Sequence, residues 1–186
     1  LSGVPTDVRV TNLGGIQPVG QLEPGTTYSI ESQYPEWTPE ELRSAGRDYP
    51  DGIVERYTQL PESTPERVAR ATARLTNRAN NSYETARIIE IYLQQSKNYS
   101  LNVNRPSGNI ASSFLFKMEK GYCTYFATTM AVMLRTQGIP ARFVTGYTAG
   151  QRVAEDKWVV RGLDSHAWVE VYFPDVGWVR FDPTPT

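Results

Sequence analysis

The chain has 186 residues, enough for one ordinary domain, and 39% hydrophobic with 21% charged residues predict a buried core. A net charge of −1, without any basic run, excludes the usual electrostatic signs of binding to nucleic acid or to an anionic membrane. The single cysteine excludes an internal disulfide and leaves the cellular compartment open.

The ends of the chain indicate that it is a piece of a longer protein. No apolar run reaches the length of a membrane span, and there is no signal peptide. The chain starts at Leu1 without a methionine and stops at Thr186, just after a strand-like segment. The absence of targeting signals from this piece therefore says little about the parent protein.

The first third of the chain combines strand-like and turn-like segments. Residues 7–15 and 26–34 alternate like strands, and the turn residues of 22–26 lie between them. Thr38 as N-cap and Pro39 at the first helical position predict a short helix over 38–42. A connection rich in proline and charge follows over 48–62.

Helices are predicted through the middle of the chain. Residues 63–79 carry the same start signal, with Ser63 or Thr64 before Pro65 and Glu66. The second helix, over 81–96, has an apolar face formed by Ile88, Ile89, Tyr92 and Leu93. The next segments are a loop over 102–109, a short helix over 111–118 and a helix over 123–137 that Gly138 and Pro140 end.

Four strands are predicted in the last third of the chain, over 141–149, 157–162, 166–173 and 178–182. Helices followed by an antiparallel sheet are typical of the α+β class. We expect three parts: a strand-containing flank over 1–34, a short helix and linker over 35–60, and a core over 61–186.

The lone thiol of Cys123 lies in the first turn of the helix over 123–137. Helical spacing sets it on one apolar stripe with Ala127, Met130, Ala131 and Leu134, which favours a buried structural cysteine. The first turn of a helix, however, favours a thiolate over a thiol. Both interpretations stay open on this evidence.

The single histidine, His166, begins the strand over 166–173. One cysteine, one histidine and a following acid match the needs of nucleophilic catalysis: the imidazole takes the thiol proton, and a carboxylate holds the imidazole in the useful tautomer. A lone histidine is more often a satisfied surface or core residue. A zinc site from Cys123, His166 and Asp182 is a further alternative, although no paired-ligand spacing supports it.

The register of the last two strands predicts which acid reaches the imidazole. If 174–176 form the loop and Gly177 takes the left-handed position of a bulge, Phe173 faces Gly177 and Asp182 lies diagonally next to His166. The same register sets Val171 opposite Val179 and Glu170 opposite Arg180, so apolar meets apolar and acid meets base. A loop one residue shorter or longer would turn His166 and Asp182 to opposite faces.

Two alternatives to this assignment remain. Asp182 could simply end its strand before Pro183 and cap a turn. Asp164 could orient the imidazole instead, although a neighbour in sequence tends to point away.

These residues resemble the transglutaminase-like superfamily, which shares the papain-like Cys-His-Asp arrangement. The resemblance rests on "GYC" (121–123), "GIPAR" (138–142), "TGY" (145–147), "SHAWVEVY" (165–172) and "GWVRFDPTP" (177–185). It implies a papain-like core with the nucleophile at a helix N-terminus, and it makes 61–186 the catalytic core. By the same resemblance Cys123 is the nucleophile, His166 the base and later the acid, and Asp182 the orienting residue.

The resemblance also implies the chemistry and its setting. The expected activity is acyl transfer through a thioester on protein or peptide amides, either to an amine acceptor or, as a protease or amidase, to water. No cofactor or metal is implied. The upstream region resembles the extracytoplasmic part of bacterial multi-pass membrane proteins of the TgpA-like group. Two alternatives are a non-catalytic module that binds a peptide or a cell-wall strand, and a purely structural extracytoplasmic domain.

Three departures from the family pattern are visible. Thr124 follows the cysteine where relatives commonly carry glutamate. No tryptophan lies between Trp37 and Cys123, whereas animal transglutaminases use one there to stabilise the oxyanion. No calcium-loop pattern is found. The Cys123 N–H is a natural oxyanion donor, and the sequence does not identify the second.

Overall fold

The computed structural model describes residues 8–10, 16–29, 31 and 36–185. The chain divides into two compact units, residues 1–36 and 37–186. The predicted three-part division at 34 and 60 stays a prediction.

The first unit contains a two-stranded antiparallel sheet, formed by β1 (Val8–Val10) and β2 (Ile16–Pro18), in which Val8 lies opposite Pro18. The strand predicted over 26–34 is wrong for residues 26–29 and 31, which are not in a strand, and its other positions lie outside the described residues. The physical reason is local: the N–H and hydroxyl of Thr26 both donate to the Glu23 carbonyl, closing a turn where the ladder was expected. Strand β2 was not predicted.

Six helices are found among the described residues of the second unit: α1 (Pro39–Ser44), α2 (Ile53–Tyr57), α3 (Glu66–Leu75), α4 (Ser82–Ser96), α5 (Ile110–Phe116) and α6 (Cys123–Thr136). The Thr38 cap of α1 is confirmed, because its hydroxyl accepts from the Glu41 N–H while the Glu41 carboxylate accepts from the Thr38 N–H. The short helix α2 lies in the segment predicted as a linker.

Helix α3 is shorter than predicted at both ends. Pro65 is its N-cap and lies in the extended region, and no side chain caps the helix, so the predicted Ser63 or Thr64 cap is wrong. The Thr64 N–H donates instead to the Pro61 carbonyl in a preceding turn. The helix ends at Leu75, where the hydroxyl of Thr76 turns back to the Thr72 carbonyl.

Helix α6 runs through the core of the second unit. Its residues Ala127, Met130 and Leu134 are fully buried, as the predicted stripe requires. The helix packs on the sheet, and Ile89 and Leu93 of α4 are buried in the same core. This packing fixes the position of the first residue of α6, Cys123.

The sheet against α6 has three antiparallel strands in the order β5 (Ala141–Tyr147), β8 (Ser165–Phe173) and β9 (Gly177–Phe181). The predicted strand over 157–162 is not part of it. Its residues 157–159 form β7 (Lys157–Val159), which pairs with β6 (Gln151–Ala154) in a separate hairpin. Neither hairpin strand has a buried side chain, so neither supplies a face for the core. A parallel pair, β3 (Asn98–Tyr99) and β4 (Lys120–Gly121), completes the strands described.

The register predicted for the last two strands is confirmed. Phe173 lies opposite Gly177, Val171 opposite Val179, and Glu170 opposite Arg180. Gly177 has φ 96°, the left-handed conformation that the bulged turn requires. The predicted α+β class, with helices packed on an antiparallel sheet, is confirmed as well.

Candidate active site

Cys123 begins α6 and opens into a cleft of about 530 Å³ that His166 also lines. Its side chain is half-buried, whereas the other members of its helical stripe are buried. The thiol therefore contacts the core and faces the cleft, so it is not the fully enclosed cysteine of the structural interpretation.

The N-terminus of α6 is held by the parallel pair of β3 and β4. The Ser100 N–H donates to the Gly121 carbonyl at 2.7 Å, two residues before the thiol. A side chain at Gly121 would not fit, because its Cβ would lie 2.7 Å from Cε2 of Phe114. This pairing also brings Tyr99 to the cleft.

The imidazole of His166 is bonded to Asp182, with Nε2 of the ring 2.7 Å from Oδ2 of the carboxylate. An ionised carboxylate only accepts, so this contact favours the tautomer that carries its proton on Nε2 and leaves Nδ1 as the acceptor. Asp164, the competing candidate, accepts instead from the Arg161 N–H at 2.6 Å. The structure therefore pairs the ring with the acid that the strand register predicted.

Two side chains of α4 hold the main chain of Asp182. Its N–H donates to Oε1 of Glu90 at 2.8 Å, and its carbonyl accepts from Nε2 of Gln94 at 2.8 Å. Sequence reasoning missed both residues. Glu90 lies within the buried stripe of α4, between Ile89 and Leu93, and a charged residue at such a position is the signal that could have found it.

Burial makes Glu90 an unusual carboxyl group. It is 5% exposed, and this desolvation raises its pKa above the ordinary value, although the Asp182 N–H and the guanidinium of Arg87 act in the opposite direction. Arg87 forms an ion pair with it from the preceding turn. Ionisation of the Glu90 carboxyl group therefore costs free energy, and the same buried position lets its Oε1 atom accept from the Asp182 N–H.

The carboxylate of Asp182 also has a cationic neighbour, Arg180. Its Nη2 lies 3.3 Å from Oδ2 of Asp182, and its guanidinium lies 4.6 Å from the ring centroid of Trp168. Glu170, which faces Arg180 across the strands, bonds Arg142 instead, at 2.7 Å. Glu170 and Arg180 therefore face each other as predicted, but they do not bond each other: Glu170 bonds Arg142, and Arg180 bonds Asp182.

Trp168 covers the imidazole side of the sheet. Its ring stacks near that of His166, with centroids 6.5 Å apart and an interplanar angle of 25°. Gly146, the glycine of the "TGY" motif, lies opposite His166, and a Cβ there would lie 2.7 Å from Cη2 of Trp168. The glycine is thus required by the close approach of the indole.

Within the part of the chain that the structure describes, no group of three or more histidine, cysteine, aspartate or glutamate side chains could hold a metal ion. In the same residues, no helix has both the length and the apolar character needed to cross a membrane.

Tyr99, which lines the cleft beside Cys123, has a raised pKa. Partial desolvation is the larger cause, and the charge of Cys123 is the second. The Tyr99 hydroxyl therefore keeps its proton and can donate a hydrogen bond.

Comparison with known proteins identifies the family. The family model of the transglutaminase-like superfamily matches residues 69–183. The uncharacterized protein YebA of Bacillus subtilis is 34% identical over 179 residues, which cover 89% of this chain and 24% of that protein. A protein-glutamine gamma-glutamyltransferase of Pseudomonas aeruginosa is 32% identical over 182 residues, which cover 96% of this chain and 26% of that protein.

A solved structure is similar as well. The periplasmic domain of TgpA from Pseudomonas aeruginosa superposes with a TM-score of 0.66 at 29% identity, covering 76% of this chain and 49% of that one. The chain spans about a quarter of the length of the two sequence relatives. The predicted papain-like, transglutaminase-type core is confirmed by this likeness, and the chain belongs to the transglutaminase-like superfamily.

Proposed function

We propose that Cys123, His166 and Asp182 form a catalytic triad that transfers acyl groups from protein or peptide amides through a thioester. One observation carries the proposal: a single cleft contains both the thiol and the imidazole, and the Nε2 atom of that imidazole is bonded to Asp182. The similarity to a protein-glutamine gamma-glutamyltransferase supports a glutamine carboxamide as the acyl donor.

The proposed first half-reaction forms the thioester. Nδ1 of His166 takes the proton of the Cys123 thiol, which lies at the N-terminus of α6. The sulfur attacks the carboxamide carbon, and the oxyanion accepts hydrogen bonds from the Cys123 N–H and the Tyr99 hydroxyl. His166 then returns the proton to the leaving group, so ammonia departs from a glutamine, or an amine from a peptide bond.

The second half-reaction releases the acyl group from the sulfur. An amine acceptor yields a new amide, and water yields the carboxylic acid. His166 removes a proton from either nucleophile, and Asp182 stabilises the imidazolium that forms. Access of water to the thioester decides the ratio of the two products.

Mass spectrometry of a glutamine peptide incubated with a primary amine tests the activity. The amine adduct, the deamidated peptide and cleaved fragments distinguish transfer, amidase and protease reactions in one experiment. Cys123→Ala should abolish every product. If the wild-type chain binds the peptide and yields none of these products, the non-catalytic binding module is the better assignment.

We propose further that the chain is an extracytoplasmic domain of a longer, membrane-anchored protein. The support is its likeness to a periplasmic domain and its match to about a quarter of each longer relative. Protease treatment of spheroplasts that express the parent protein is the test. Digestion of this domain in intact spheroplasts is expected, and protection until lysis would contradict the assignment.

A further inference from the structure

We propose that the cleft around Cys123 accepts an uncharged peptide segment in which a leucine-sized or aromatic side chain flanks the reacting glutamine. This inference rests on the proposed function and names its substrate class. It is carried by the exposure, the anchoring and the charge of the side chains that line the cleft.

The exposure of two leucines is the first observation. Leu163 is 95% exposed and Leu101 is 75% exposed, the two highest values for large hydrophobic side chains in the described part of the chain. Both line the same cleft as Cys123, together with Tyr147, which is 59% exposed. Exposed apolar surface concentrated in a concave site is typical of a binding site.

The second observation is that these side chains stand on anchored backbone. Leu163 lies in a 3₁₀ turn, Gly162–Asp164, whose last residue accepts from the Arg161 N–H through its side chain and from the Thr148 N–H through its carbonyl, at 2.6 and 2.9 Å. Leu101 follows Ser100, which is bonded to the strand that leads into α6. Because the backbone is already ordered, a ligand that buries these leucines pays little entropy for it.

The third observation is the lack of charge. Apart from Cys123 and His166, the proposed catalytic pair, no acidic or basic side chain lines the cleft among the described residues; the others are tyrosine, leucine, threonine, serine, alanine and glycine. A flanking aspartate or lysine would therefore lose hydration without gaining an oppositely charged partner among these other lining side chains. A leucine or phenylalanine would instead cover Leu101 and Leu163.

The shape of the site favours a peptide over other occupants of an apolar surface. The volume of about 530 Å³ is that of a small-ligand pocket, and it contains the proposed nucleophile. The proposed reaction needs an acyl donor at the thiol, and a peptide supplies one where a membrane surface does not. We therefore assign the leucines to substrate recognition.

The test uses acetylated, amidated glutamine peptides that differ only in the flanking residue: leucine, aspartate or lysine. Binding is measured by calorimetry on Cys123→Ser, which cannot turn the peptides over. We expect the leucine peptide to bind about tenfold more tightly than both charged peptides, a ratio typical of an apolar subsite. Weaker binding of both the aspartate and the lysine peptide would indicate a cost of desolvation, whereas weaker binding of only one of them would indicate repulsion by a charge of the same sign.

Matched variants locate the subsite. Leu163→Ser and Leu101→Ser, made in the Cys123→Ser chain, should each reduce the ratio, and the double variant should bring it close to one. Leu60→Ser is the control, because Leu60 is also exposed but follows Gln59, whose carbonyl bonds Arg135 at the opposite end of α6. It should leave the ratio unchanged. Both replaced leucines are exposed, so the variants should keep the melting temperature.

The outcomes separate the subsite from the proposed function. Turnover by the wild-type chain with equal binding of all three peptides would overturn the subsite alone. Absence of turnover with the expected binding ratio would contradict the proposed function and keep the subsite. Self-association or vesicle binding that Leu163→Ser abolishes, without any preference among peptides, would assign the leucines to a second copy or a membrane and overturn the inference.

Discussion

The hydrogen bond between Glu90 and the Asp182 N–H should be required for activity, because it fixes the strand end that carries the orienting carboxylate. In Glu90→Ala the 2.8 Å bond is lost and the amide has no acceptor, which costs about 1–3 kcal/mol when such a group is buried. If about 1.4 kcal/mol of this appears as poorer positioning of Asp182, kcat falls about tenfold. Glu90→Gln keeps an oxygen for the amide and should stay within about threefold of the wild type.

The assay combines kcat for ammonia release from a glutamine peptide with urea denaturation of each variant. Glu84→Ala is the matched control, because Glu84 lies on the same helix and accepts from the Asn80 N–H at 2.8 Å. This hydrogen bond does not involve Asp182 or His166. It should lower stability without changing kcat. Equal losses of kcat in Glu90→Ala and Glu90→Gln, or a stability loss in Glu90→Ala with unchanged kcat, would refute the positioning argument.

Three further predictions concern the buried carboxyl group of Glu90, the hydroxyl of Tyr99 and the close contact between Gly146 and Trp168. The raised pKa of Glu90 lets the folded chain hold a proton that the unfolded chain has lost, so the free energy of unfolding should fall as pH rises from 4.5 through that pKa. Urea denaturation at several pH values should show a smaller fall in Glu90→Gln than in the wild type. Parallel plots of unfolding free energy against pH for the two proteins would contradict this prediction. Tyr99→Phe should slow acylation about a hundredfold but leave iodoacetamide alkylation, which forms no oxyanion, unchanged; equal slowing of both would remove Tyr99 from the oxyanion site. Gly146→Ala should destabilise by about 1–3 kcal/mol by displacing Trp168, whereas Gly162→Ala, whose added Cβ meets nothing within 4 Å, should not; equal melting temperatures would rule out the clash.

Local signals in the sequence were sufficient for much of the fold. The cap at Thr38 and the bulged turn at Gly177 each depend on a few adjacent residues, so their geometry could be predicted. The strand register was predictable because side chains alternate with period two, so a loop one residue shorter or longer would turn the apolar residues away from the core. That register was enough to bring Asp182 to His166.

What the sequence did not reveal depends on contacts between distant segments. Glu90 and Gln94 bond a main chain that lies 92 and 88 positions away, and no local pattern encodes such a partner. The strand predicted over 26–34 failed at residues 26–29 and 31 because a hydroxyl at Thr26 offers the backbone an alternative hydrogen bond. The exposed leucines of the cleft lie in a bend and in a three-residue 3₁₀ turn, which are too short for periodicity to carry information.

The coupling of Cys123 to His166 is the central claim, because every step of the proposed chemistry passes through it. The sequence predicts that the sulfur and an imidazole nitrogen lie within about 4 Å, the loose geometry of an unliganded site. Only the thiolate reacts with iodoacetamide, so the rate of alkylation reports how far the imidazole promotes ionisation of the sulfur. This measurement needs no substrate.

The decisive measurement is the second-order rate of iodoacetamide alkylation of Cys123 between pH 5 and 9 (about the range over which imidazoles and thiols titrate), followed by intact-mass spectrometry. We predict an appreciable rate near pH 6 in the wild type, at least about a tenfold loss there in His166→Ala, and a smaller loss in Asp182→Ala. A pH profile that His166→Ala leaves unchanged would show that the two side chains are not coupled and would contradict the triad.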